Sequence, residues 1–120
     1  MPHIVFNNKI DLESFSKKFV PIFQKIPILI RVSTIFVDKN KVKALLPAVS
    51  ISDVNQQFLI EISTQKSKTT IKLYSGTDPE KTDGVKMSMA LLAEQIMHHY
   101  SEFKVTKTNL EDYLGMVVKH

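Results

Sequence analysis

Met1-Pro2-His3-Ile4-Val5-Phe6 opens the chain, and its reading decides both the fold and the chemistry expected of the rest. Cells usually trim an initiator methionine when the next residue is small, and proline qualifies. Trimming leaves Pro2 as the N-terminus, with a free secondary amine where every other backbone nitrogen is an amide. An ordinary α-amino group has a pKa of about 7.7–8.0. An apolar pocket or a nearby cation lowers it toward neutrality, where an amine works as a general base. His3 to Phe6 reads as a short strand, which would hold that amine at the mouth of a sheet. The plainer reading is that proline follows the start by chance and the strand is only strand one.

Outward from this stretch, Asn7-Asn8-Lys9 is a turn and Asp11 an N-cap. Leu12, Phe15, Phe19, Ile22, Phe23 and Ile26 fall at helical spacing, with Glu13, Lys17, Lys18 and Gln24 opposite. Pro21 is expected to kink or break that helix and Pro27 to close it. The aromatic stripe reads as a core face. Arg31 to Val37 is β-branched and strand-like. Asp38 to Lys41 is a turn, Val42 to Leu46 a short strand, and Pro47 to Asn55 a loop. Phe58 to Ile62 and Thr69 to Tyr74 form a hairpin. Thr77 and Glu80 have capping-box spacing, with Pro79 suited to a first turn and Asp78 or Asp83 as competing caps. Val85, Met89, Leu92, Ile96, Tyr100 and Phe103 then mark one face of a long helix. Lys104 to Thr108 is a strand, and Met116-Val117-Val118 suggests one more.

The 120 residues make one domain, 1–120, with a real core, and the 43% hydrophobic content is ordinary for a globular chain. There is no apolar run near 18 residues, so no membrane span is expected. No secretory signal is read at the start. With no cysteine, thiolate and disulfide chemistry are excluded. These features point to a cytoplasmic protein. The net charge of +4 comes from lysines scattered along the chain, and Arg31 is the only arginine. Bidentate reading of guanine and phosphate favours arginine, so nucleic acid is not the expected partner.

Other chemistry is weaker. His98 and His99 point about 100° apart on a helix and do not share a tetrahedral metal easily, so no metal site is expected. Ser75-Gly76-Thr77 is too short for a phosphate loop, and there is no Gly-x-Ser-x-Gly elbow. Lys72 and Tyr74 share a strand face, as do Lys107 and Asn109. Either pair would serve to line a pocket, and solvated strand residues explain them equally well.

The chain reads as two β-α-β halves, an α+β fold with both helices on one face of a mixed sheet. That architecture, the Met1-Pro2-His3 opening, Leu91-Leu92-Ala93-Glu94-Gln95-Ile96 and the run from Val105 to Tyr113-Leu114-Gly115 resemble the tautomerase superfamily. The resemblance covers the chain in architecture, and its motifs are short. It implies a cofactor-independent tautomerase or isomerase with Pro2 as general base, acting on a small enol or 2-oxo carboxylic acid. It also implies a homotrimer with sites between neighbours and a cation that binds the substrate carboxylate. Arg31 is the matching candidate, with Lys104 and Lys107 as further polar candidates. A surface or interface salt bridge is the competing role for Arg31. Two departures stand out: Asp11 to Ser14 occupy positions where small family members carry an arginine, and the segment from Val37 to Tyr74 is long. The alternative is a non-catalytic trimer of the same fold acting as a binding or structural module.

Overall fold

The computed structural model describes residues 1–118. In chain order they form β1 (His3–Phe6), α1 (Leu12–Lys18), β2 (Ile22–Gln24), β3 (Leu29–Val32), β4 (Phe36–Val37), β5 (Lys43–Ile51), β6 (Asn55–Gln65), β7 (Lys68–Leu73), α2 (Asp83–His99), β8 (Val105–Thr108) and α3 (Glu111–Val118). The fold is α+β. One sheet runs β2-β3-β5-β6-β7-β1-β8, and β4 lies beside β5.

The meander β5-β6-β7 sits at the centre. Successive side chains of a strand alternate between faces, and here the alternation separates core from surface. Register sets Ile60 opposite Leu46 and Leu73, and Ile62 opposite Ala44 and Ile71. Ile4 and Phe6 of β1 and Ile30 and Val32 of β3 lie on the same buried side. Leu12 and Phe15 of α1 and Val85, Met89, Leu92, Ala93 and Ile96 of α2 join them in one hydrophobic cluster. The helical face expected from Val85 to Ile96 is therefore the buried one, and Phe103, beyond the helix end, is buried too.

The mixed sheet expected from the sequence is not what forms: among the described residues every pairing is antiparallel. The β-α-β logic survives in split form. Both β7 and β8 are antiparallel to β1, so they run the same way, joined by α2 with β1 inserted between them. The first helix is shorter than its apolar spacing suggests. Asp11 caps it as expected, accepting from the Ser14 N–H at 3.1 Å. It ends at Lys18, however, and Ile22–Gln24 becomes an edge strand. Pro21 has no N–H and biases Val20 away from helix. The Gln95 amide of α2 then takes both backbone groups of Val20, accepting its N–H at 2.9 Å and donating to its carbonyl at 2.8 Å.

Four further expectations change. The Arg31–Val37 strand divides into the ends of β3 and β4. Pro47 lies inside a strand, where a loop is expected, because β3 pairs with β5 from Ala48 onward and β4 only at Ala44 and Leu45. The proline falls in the gap, where that edge needs no donor. The second helix is capped by Thr82, whose hydroxyl accepts from the Val85 N–H, while Thr77 donates its hydroxyl proton to the Tyr74 carbonyl. The tail forms α3 instead of a strand, with Glu111 and Asp112 in its first turn, where negative charge suits the helix dipole.

One close approach seats α2 on the sheet. A Cβ built on Gly84 would lie 1.8 Å from Ser50 Oγ and 3.0 Å from Ser50 Cβ, so glycine here is a matter of space. Gly84→Ala should therefore destabilise by about 1–3 kcal/mol through overpacking, despite a helix-propensity gain of up to about 1 kcal/mol. Adding Ser50→Ala removes the nearest clashing atom. Urea denaturation of the double variant should show a coupling of at least about 0.5 kcal/mol; strict additivity would refute this packing.

Candidate active site

The N-terminal residues are held by side chains, not left as a tail. Pro2 is buried, whereas Met1 is 75% exposed. Just past β8, the Asn109 side chain clamps the segment. It accepts the His3 N–H at 3.0 Å and donates its amide to the Met1 carbonyl at 2.8 Å. The same carbonyl lies 3.0 Å from His3 Nδ1. Thr108 donates its hydroxyl proton to the His3 carbonyl at 2.7 Å and accepts the Leu110 N–H.

A cavity of about 210 Å³ opens beside this clamp, lined by Met1, Pro2, Lys81, Lys86, Asn109 and Leu110. Lys81 comes from the loop before α2 and Lys86 from the start of α2, and both are half-buried. Lys81 bonds Asp78 at 2.5 Å, and this bond and charge hold the Asp78 carboxyl below its ordinary range. The Lys86 ammonium lies 5.8 Å from the centre of the Tyr113 ring. The Tyr113 hydroxyl donates to Asp83 Oδ1 at 2.6 Å, and that bond, with some burial and the negative charges of Asp83 and Asp112, raises the phenol above its usual value. The start of α2, the start of β1 and the first turn of α3 thus converge. The cavity lining sets two lysines and an asparagine beside a proline.

Of the residues expected at the site, only Pro2 lines this cavity. Arg31 projects from β3 on the sheet face away from the helices, its guanidinium 5.5 Å from the Phe23 ring. From β3 to β1 is four strand steps, about 19 Å at the usual spacing. Lys104 precedes β8 at the far end of β1, its N–H donating to Asn7 Oδ1. Lys107 pairs with Val5, on the face opposite Ile4 and Phe6. Among the described residues, no three His, Cys, Asp or Glu side chains come together in a way that would hold a metal. Lys81 and Lys86 escape sequence reading because their spacing is no motif; only the tertiary fold brings them into one cavity with Pro2. Asn109 does carry a signal, as the strand-face partner of Lys107.

No family model matches the chain, and neither does any curated protein or solved structure.

The Tyr113–Asp83 bond predicts a measurable titration. The raised phenol favours its neutral form when folded, so its contribution to stability is present below the unfolded pKa of about 10. It is lost as pH rises through the folded value. The difference between wild type and Tyr113→Phe at 295 nm should place the Tyr113 midpoint above about 10, and Asp83→Asn should bring it down. A midpoint unmoved by Asp83→Asn would rule the bond out.

Proposed function

We propose that the mature chain, beginning at Pro2, is a cofactor-independent keto–enol tautomerase or isomerase of a small enol or 2-oxo carboxylic acid. The observation that carries this reading is the cavity shared by Pro2, Lys81 and Lys86. Once Met1 is removed, the Pro2 nitrogen becomes a secondary amine on a residue that lines one cavity with the cationic Lys81 and Lys86. Those charges disfavour its protonated form and leave it ready to accept a proton. Lys81 and Lys86 also supply the attraction that holds a substrate carboxylate. Loss of the Met1 carbonyl frees the Asn109 amide to donate to the 2-oxo oxygen. Pro2 takes the enol hydroxyl proton and returns a proton to the adjacent carbon. The keto form results with no net gain or loss of protons or electrons.

The assembly we propose is a homotrimer. The sheet face away from the helices carries Phe23, Leu29, Val49 and Ile51 around Arg31, with Phe23 52% exposed. Joining copies through this patch removes apolar surface from water. In such an assembly Arg31 reaches a proline site only from a neighbouring copy.

The second reading is a non-catalytic trimer that binds or scaffolds. It is favoured by the Met1 carbonyl, which accepts from Asn109 and contacts His3 Nδ1, an anchorage built for the untrimmed form. In that form the Pro2 nitrogen is an amide without basicity.

Intact mass of protein from native cells separates the two readings, since full retention of Met1 excludes proline catalysis. Trimmed protein should ketonise the enol of phenylpyruvate. Pro2→Ala should lower the rate by about 10²–10⁴, the span for losing a general base. Lys86→Ala should mainly raise KM for carboxylate substrates. If trimmed wild type shows no ketonisation above buffer, the catalytic reading fails. For the assembly, light scattering should give three times the chain mass, and Phe23→Asp should give one; a monomeric wild type at micromolar concentration would exclude the trimer.

A further inference from the structure

Glu61 occupies an unusual position. It lies near the middle of β6, and alternation along the strand turns it away from the core, between inward-facing Ile60 and Ile62. An outward carboxylate on a sheet should be solvated, yet Glu61 is 5% exposed. Its Oε2 is buried with no hydrogen-bond partner. The nearest cation, Lys72 Nζ, lies 3.6 Å away, beyond hydrogen-bond length, and the Lys72 side chain is 46% exposed. A buried acceptor left unsatisfied costs about 1–3 kcal/mol, and more when charged.

The surroundings form a site. Glu61 lines a cleft of about 270 Å³ whose walls include Phe36, Leu45 and Tyr74. Cross-strand register makes Phe36, Leu45, Glu61 and Lys72 one row across four strands. Phe36 is 61% exposed at the mouth. The acidic and basic residues in the lining are Asp38 and Glu61 against Lys43, with Lys72 beside Glu61 just outside it. Asp38 Oδ1 already accepts the N–H groups of Val42 and Lys43. The volume falls just below the roughly 300 Å³ at which drug-sized pockets begin, so the occupant is fragment-sized.

We infer that this cleft binds a small primary amine with an apolar, preferably aromatic, body. The ammonium donates to Glu61 and supplies the hydrogen bond that Oε2 lacks, while the body lies against Phe36, Leu45 and Tyr74. An anionic ligand would meet Glu61 and Asp38 unfavourably. A neutral one would leave Glu61 with only the half-exposed Lys72 ammonium, 3.6 Å away, as its ionic partner. The site is independent of the proline reading, because Glu61 points to the face opposite the inward residues of β1. It also lies apart from the patch around Arg31. Leu45 and Val49, their respective contacts on β5, are four residues apart, about 13 Å along the strand.

The test titrates phenethylamine into the full chain and follows backbone amides by NMR, with 3-phenylpropionate and methylamine as matched probes. Saturable shifts confined to the surroundings of Phe36, Leu45, Glu61 and Tyr74 are expected with phenethylamine, at least tenfold weaker binding in Glu61→Gln, and no saturation with either control. Phe36→Ala, at an exposed position where folding is not at stake, should weaken binding several-fold. Absence of saturation by phenethylamine, equal affinity in Glu61→Gln, or equally tight binding of 3-phenylpropionate would each overturn the proposal.

Discussion

The register of β6 is the constraint on which the rest of the structure depends. Its pleat sends Phe58, Ile60, Ile62 and Thr64 into the core and Leu59, Glu61 and Ser63 the other way. A slip of one residue would exchange the two sets. It would put the Glu61 carboxylate among the helices and two isoleucines on the outer face, a change far costlier than any single surface contact repays. Because β5 pairs with β6 from Asn55 to Ser63 and β7 from Ile60 to Gln65, the register of β6 is imposed on both, and through β7 on β1. The inward side of the sheet is thereby committed to packing against helices. Polar groups on the outward side are left for other uses.

The same transmission explains the proline cavity. Ile4 and Phe6 must face inward, so β1 begins next to the start of α2, with Pro2 buried at the junction. Three element ends brace one another there. Asn109 ties β1 to the residue after β8, Tyr113 ties α3 to Asp83 of α2, and Lys86 lies over the Tyr113 ring. The last two of these links share Tyr113. Lys81 divides its charge between Asp78 and the cavity. Asp78 is fully exposed, so solvent screens its pull and leaves much of the cation's field for the cavity side.

Local chemistry was legible in the sequence, and long-range choice was not. The first strand, the Asp11 cap, the β6-β7 hairpin, the face of α2 and the strand before the tail all follow from spacing within a dozen residues. The first helix looked long because Phe19, Ile22, Phe23 and Ile26 keep helical spacing. What ends it, besides Pro21, is an amide from Gln95, 75 residues away. Thr82 takes the cap position that local rules assign to Thr77, or to Asp78 or Asp83. Gln56 decides among these, donating to the Glu80 carbonyl and accepting the Thr82 hydroxyl proton from the neighbouring strand. Val117-Val118 is β-branched and reads as strand by propensity, yet lies in α3. At the site, Pro2 announces itself by position in the chain. Lys81 and Lys86 are two lysines among fifteen, and Arg31 drew attention by rarity, which says nothing about where a strand will carry it.

The two ends of the sheet have a consequence of their own. β2 has three residues and sits between Pro21 and Pro27, and β8 has four, two of them, Thr106 and Lys107, exposed. Short, proline-bounded and charged edges offer little template for another strand. The long strands, β5 and β6, are flanked on both sides and have no free edge to lend along most of their length. Crowded copies of this chain therefore have no continuous ladder to extend, and resistance to fibril growth comes from the geometry of the sheet margins more than from net charge.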